Sequence, residues 1–354
     1  MKKTIAILTA LILAAALLAG CAGQPAASPS PAVSSPADQS ASASPSEEPS
    51  PIPAEKTDVS VAALIGPTGM GLAPLMDKQD KGEAENNYSF TLSGTPDDIV
   101  AKITSGEADI AAVPVNLAPI LYSKTSGKVQ LLAINTLGVL YVVERGDTVH
   151  SVADLKGKTL YASGQAATPE YILNFILSQN GIDPAADLAI EYKADHSELA
   201  SLVTAGQADL AMLPEPFVTT VTSKDPDLRI ALDLTKEWDK IEGGGSALVM
   251  GVMIVRKDFA DQNPDALRTF MDEYKASTEF VNASIPKAAA LIEQYGILPS
   301  AALAEKAIPN SNIVYIDGQE MKDKVAPLYQ ILLDSNPKSI GGILPDDAFY
   351  YTKQ

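Results

Sequence analysis

The sequence holds one cysteine (Cys21), two histidines (His150 and His196), one tryptophan (Trp238) and four arginines (Arg145, Arg229, Arg256 and Arg268). With its only thiol near the start, the body of the chain has no disulfide, no thiol nucleophile and no cysteine metal site. Two histidines are too few for a histidine-rich metal centre, so neither a metal nor a cofactor is expected. Positive charge is also scarce. The 26 Lys and Arg against 44 Asp and Glu give a net charge of −18, and beyond residue 57 the balance is 23 against 40, or −17. Such a surface repels nucleic acid and anionic headgroups, which excludes nucleic acid as a partner, but it does not fix the sign of a small ligand.

The first residues supply what the body lacks. A basic start (Lys2, Lys3), an apolar run from Ile5 to Leu18 and small residues before Cys21 read as a secretory signal peptide over residues 1–20. The run is shorter than the roughly 20 residues of a comfortable membrane span. "LAGC" resembles the bacterial lipobox, which implies lipidation of Cys21 and attachment to the cell membrane from outside the cytoplasm. Residues 22–57 are Ser, Pro and Ala with a few acids and no apolar periodicity, so residues 21–57 read as a lipidated disordered tether. It would span on the order of 30 Å as a coil and roughly 110 Å as polyproline II. About 300 residues remain, enough for a core without disulfides.

In that remainder one phrase occurs twice. "ITSGEADIAAVP" (103–114) and "VTAGQADLAMLP" (203–214) share Thr, Gly, Ala, Asp, Ala and Pro at an offset of 100. Their surroundings match too. "VSVAALIGPTGMGLAPLMDK" gives strand, glycine loop and helix; "YSFTLSG" is a strand, and Thr95-Pro96-Asp97-Asp98 opens a helix that ends near Gly106. "TLYASGQAATPEYILNFILSQNG" and "LAIEYKADHSELASLVTAGQADLAMLP" repeat that order. The echoed phrase is thus the helix–cap–strand junction of two similar β-α-β-α lobes, with largely parallel sheets and loops at the carboxyl ends of the strands facing a cleft. Residues 129–147 are apolar and long enough to cross between lobes, and "ALVMGVMIVRKDF" reads as the return. This predicts a first lobe over 58–140, a second over 141–254, and completion of the first by 255–354 through helices at 263–282, 285–295, 300–308 and 318–334.

"SVADLKGKTLYASG", "LVTAGQADLAMLPEPF" and "VMIVRKDFADQNPDALRTFMDEY" resemble the solute-binding proteins of ABC importers. Within these they resemble the SsuA-like nitrate/sulfonate/taurine and thiamine-precursor (NMT1/THI5-like) branch. The resemblance extends from Val59 to about Asp334. It implies a type II periplasmic-binding-protein fold, α/β, with two lobes joined by two crossovers around a ligand cleft. The cysteine-rich stretch of the fungal pyrimidine synthases in the wider family is missing, so their enzymatic role does not carry over.

Candidate ligand contacts follow from position. Pro67, Thr68, Gly69, Met70 and Gly71 form a glycine loop before a helix, where backbone N–H groups and a hydroxyl meet a polar group. Gly164, Gln165, Ala166 and Thr168 are the counterpart in the second lobe. Gly94, Thr95 and His196 occupy the next loops; Val115, Asn116 and Glu215 follow the echoed strands, and Thr136 lies on the hinge side. Glu215 either pairs with a cationic nitrogen or serves as a helix-start carboxylate. Trp238 either stacks on a ring or packs; Asp109 and Asp209 read as structural. Because no arginine lies in a cleft loop, a sulfonate or nitrate would have to be held by helix N-termini and hydroxyls, which favours a neutral or heteroaromatic solute. The leading reading is a monomeric lipoprotein that captures a small organic solute for an ABC permease and its ATPase. The alternatives are an enzyme on the same fold, a menaquinone-pathway-like lyase using Glu215 and His196, and a ligand-sensing module without transport.

Overall fold

The computed structural model describes residues 56–243 and 245–353; the signal peptide, Cys21 and nearly all of the tether lie outside the described residues. Strand β1 (Asp58–Leu64) shows how the sequence builds the first lobe. Its alternate residues Val59, Val61 and Ala63 face one apolar core while Ala62 faces another, the period-2 pattern of a strand buried on both sides. The same alternation runs through β3 (Ile110–Pro114) and the second half of β10 (Val249–Arg256), while in β4 (Val129–Leu137) it is broken where the consecutive Leu132 and Ala133 enter the same core. With β2 (Asn87–Ser93) and β11 (Ile313–Ile316) they form a six-stranded sheet in the order β11-β4-β10-β3-β1-β2. The second sheet has the order β7-β6-β8-β5-β9, from β5 (Leu140–Arg145), β6 (Thr159–Ser163), β7 (Ala189–Lys193), β8 (Leu210–Pro214) and β9 (Leu228–Asp233).

Both sheets are mixed rather than largely parallel. β2-β1-β3 and β7-β6-β8 are parallel, whereas β10 lies antiparallel between β3 and β4, β11 is antiparallel to β4, and β5 lies antiparallel between β8 and β9. The reason is connectivity. Strands joined by a helix within one lobe come back parallel, but β5 and β10 arrive from the other lobe and need no helical crossover. The first crossing is tight, two residues between β4 and β5, and a side chain on Gly138 would lie 2.0 Å from the Thr235 hydroxyl. The return falls between helix Leu234–Glu242 and β10, and the chain re-enters the first sheet at Val249.

Among the described residues three apolar cores organise the fold. One face of the first sheet packs under helices Ala73–Asp80, Pro264–Ala283, Ile285–Gln294 and Ala301–Ala307. One face of the second packs under helices His196–Thr204 and Phe217–Lys224. The remaining faces of both sheets share a single continuous core, closed by helix Gly318–Ser335 together with helices Thr168–Gln179 and Leu234–Glu242. Trp238 belongs to that shared core: fully buried, it packs on Phe175 with ring centroids 5.0 Å apart and donates its indole N–H to Ser246. The lobes are therefore fused along one flank and separate along the other.

Candidate functional site

The carboxyl ends of the parallel strands meet between the lobes. In the first lobe Gly66, at φ 92°, turns the chain out of β1 into the short helix Pro67–Met70. Gly69 then passes so close to the Leu64 carbonyl that a Cβ would sit 2.4 Å from it, which only glycine permits. Pro67 and Thr68 remain half accessible, while Gly69, Met70 and Gly71 are buried. Met70 is part of the core, and Gly71 leaves room for the Tyr274 and Thr278 side chains. The loop is held from behind by Asn135, whose amide donates to the Thr68 carbonyl at 3.0 Å. Thr136 is buried and donates its hydroxyl to the Asn135 side-chain oxygen. Gly94 and Thr95 are exposed, and the Thr95 amide donates to Ser93. Val115 is buried with its carbonyl accepting from Tyr329, and half-buried Asn116 donates to the Ser339 carbonyl.

In the second lobe Ser163, buried at the end of β6, lies 2.6 Å from His196 Nδ1, and the imidazole packs on Phe217 with centroids 5.6 Å apart. Burial pushes His196 below the ordinary imidazole range, the Asp195 charge opposing it, so the ring is neutral at pH 7. Gly164 (φ 81°) and Ala166 (φ 58°) shape the loop before helix Thr168–Gln179. Gln165 and Ala166 are exposed there, and the Thr168 hydroxyl is buried without a protein partner. Glu215 is 2% exposed and accepts from the Thr219 amide (3.1 Å) and hydroxyl (2.9 Å). It is a helix-start carboxylate, but a buried one. Burial pushes it above the ordinary carboxyl range, with the Thr219 bonds and the Asn310 side chain opposing.

A groove of about 620 Å³ opens between the two separate cores. The first lobe supplies Ile65, Gly66, residues 297–299 and Leu303; the second supplies one face of helix His196–Thr204 and the facing side of helix Phe217–Lys224. Of the sequence-predicted residues, His196 and Glu215 sit immediately beside lining residues (Ser197 and Pro216), and Pro67 follows Gly66. Those around Asn116 belong to the opposite flank, by the segment Pro337–Ile340. Ile65, Phe217 and the 297–299 loop were not singled out by sequence. Phe217 stands in the quoted "LPEPF" phrase, whereas the 297–299 loop reaches the groove only through long-range packing. Among the described residues there is no cluster of potential metal ligands, and no helix is long and apolar enough to cross a membrane.

Comparison with known proteins agrees with this architecture. No curated protein matches the chain. An ABC transporter structure from Parabacteroides distasonis is similar at 25% identity and a TM-score of 0.71, covering 84% of this chain and all of that one. The periplasmic aliphatic sulphonate binding protein SsuA of Escherichia coli is similar in fold at 14% identity and a TM-score of 0.66, covering 85% and 94%. The ligand-binding component of an ABC-type import system from Staphylococcus aureus gives 14% and 0.62, covering 84% and 97%. The fold is that of the periplasmic binding proteins, as the sequence phrases imply. The nitrate/sulfonate/taurine and thiamine-precursor branch is a finer division than these likenesses reach. A family model described as "ABC transporter, phosphonate, periplasmic substrate-binding protein" matches residues 88–298, more than half of the sequence. The chain belongs to that family of periplasmic substrate-binding proteins, which serve transport rather than catalysis.

Proposed function

We propose that the protein is a lipid-anchored extracytoplasmic receptor, held to the membrane through Cys21, that captures a small organic solute and hands it to an ABC permease and its ATPase. It acts as a monomer, and the solute is pyrimidine- or thiamine-precursor-like, or sulfonate-like, as in the branch its phrases resemble. The supporting observation is the groove, lined by both lobes at the ends of their strands. A solute that touches both walls binds the closed form better than the open one and shifts the equilibrium toward closure. Closure about the shared core gives the permease a signal that the receptor is loaded.

Thermal unfolding across thiamine precursors, alkyl sulfonates, alkyl phosphonates, taurine and amino acids tests the reading. A ligand at 100 times its dissociation constant adds about 2.7 kcal/mol. It must be recovered chemically unchanged; turnover would favour the enzyme. Fractionation of cells producing the wild type and Cys21→Ala tests the anchor: release of the variant from the membrane is the expected result. An unchanged distribution would remove the lipid from the reading.

A further inference from the structure

We infer that the groove takes an uncharged solute with an aromatic or otherwise apolar body and N–H or O–H donors, rather than a free phosphonate or sulfonate. This deepens the receptor reading and rests on it.

An oxyanion in a site without arginine depends on helix N-termini, hydroxyl protons and lysine ammonium groups. Around the cleft side of the second lobe the N-termini already hold the chain's own carboxylates. Asp195 accepts from the Glu198 amide and Glu198 from the Ala194 amide at the start of helix His196–Thr204. Glu215 takes the Thr219 amide of helix Phe217–Lys224, and Glu170 takes the Ala166 amide ahead of helix Thr168–Gln179. An incoming anion would meet a carboxylate at each of them.

Of the four groove hydroxyls, all but that of Ser197 are committed as well. Ser201 donates to the Ser197 carbonyl, Thr204 to that of Ala200 and Thr220 to that of Pro216, each at 2.8 Å. Their protons point back into their own helices, so what they offer the groove is lone pairs. Acceptors repel an anion and suit a donor. Lys224, in the last turn of helix Phe217–Lys224, is the one charged side chain among the lining residues.

The rest of the wall is apolar. Ile65 stands 48% exposed at the mouth, and Phe217, Pro299 and Leu303 present accessible surface beside it. Apolar side chains kept open in a concave site of this size match an apolar ligand body.

The test uses N-phenyl-1-naphthylamine, an uncharged aromatic amine with one N–H, as a fluorescent probe of the purified protein. Benzenesulfonamide and benzenesulfonate, matched in shape and differing in charge, serve as competitors. Saturable probe binding is expected, displaced by the sulfonamide at concentrations at least about tenfold below those needed for the sulfonate. Ile65→Asp places a charge where the side chain is already half in water, so the fold survives, and probe affinity should fall by about tenfold or more. Phe217→Ala should weaken binding in the same direction, with circular dichroism confirming the fold. Preferential displacement by benzenesulfonate or phenylphosphonate would overturn the ligand class and leave the receptor standing. Binding indifferent to both substitutions would overturn the groove as the site. No saturable binding of the probe or of either competitor would overturn the class and count against the receptor reading too.

Discussion

The two lobes use the same echoed aspartate in the same backbone setting and embed it differently. In the first lobe the Asp109 carbonyl accepts from the Arg256 amide at 2.8 Å; in the second the Asp209 carbonyl accepts from the Arg145 amide at 2.7 Å. Each carboxylate then pairs with the side chain of that same arginine, which comes from the strand that has crossed from the other lobe. There the likeness stops. Asp109, with a side chain 14% exposed, also accepts from the Ser60 amide and hydroxyl. The Asp209 side chain is 65% exposed and accepts from no serine; its arginine also pairs with Asp225, as Arg256 does with Asp258. A repeated phrase fixes a repeated junction, while its energetic weight is set by what the neighbouring strand brings.

The sharpest way to break this comparison is to remove both acids. Asp109→Ala leaves a half-buried guanidinium, whose Nε already lacks a partner, with only the exposed Asp258 carboxylate, and strands two Ser60 donors; a loss of about 3 kcal/mol in urea unfolding is expected. Asp209→Ala should cost less than about 1 kcal/mol, because its pair is in water. Equal losses would mean that the lobes are equivalent here. Next in size is the tight crossing. Gly138→Ala drives a methyl into Thr235 and Leu248, for a loss of about 2 kcal/mol. The return crossing, with open space around Gly243, has no such clash, so Gly243→Ala should cost only its left-handed strain, about 1 kcal/mol.

The pH dependence should sit in the second lobe and have two signs. His196 is held low, so as pH falls through about 6.5 the unfolded imidazole takes its proton first and stability drops. Glu215 is held high, so its penalty is complete above its folded-state titration and fades as pH falls from there toward the ordinary carboxyl range, where stability is regained. Melting temperature against pH for His196→Asn should lose the slope near neutrality and keep the acid one. The smallest effect is expected at Lys306, whose ammonium reaches Ser223 across the lobes at 3.4 Å. Lys306→Met should change stability by less than about 0.5 kcal/mol.

What the sequence made legible was local chemistry. Thr95-Pro96 opens a helix and Gly106 closes it in the left-handed region, as capping rules require. The helix beginning at Pro264 and the two crossings were visible for the same kind of reason: proline at an entry and uninterrupted apolar runs. Pairing was not visible. Nothing near Val249 says that its strand will insert between β3 and β4, because the register is decided by partners more than 100 positions away. The site divides in the same way. His196 was placed beside the cleft by the symmetry of the halves, and the structure gives it Ser163 and Phe217 as neighbours. Glu215 stood between a cation partner and a helix-start carboxylate because its neighbour Thr219, one helical turn on, claims it only once the helix exists. Ile65 reads in sequence as the last residue of a buried strand, and its exposure exists only because the facing lobe stands apart.

The shared core has a consequence for how the protein comes into being. Phe349 and Tyr350 sit in it, Tyr350 bridges to Leu131, and the Tyr351 amide donates to the Leu131 carbonyl on β4. Helix Gly318–Ser335 roofs the same strands. The two lobes thus close over segments that leave the ribosome after nearly everything else in the described chain. Until those segments are available, apolar faces on both sheets have nothing to pack against, and long-range closure of this kind is slow. The shared core of the described chain is therefore completed only once residues 318–351 are there to pack against both sheets.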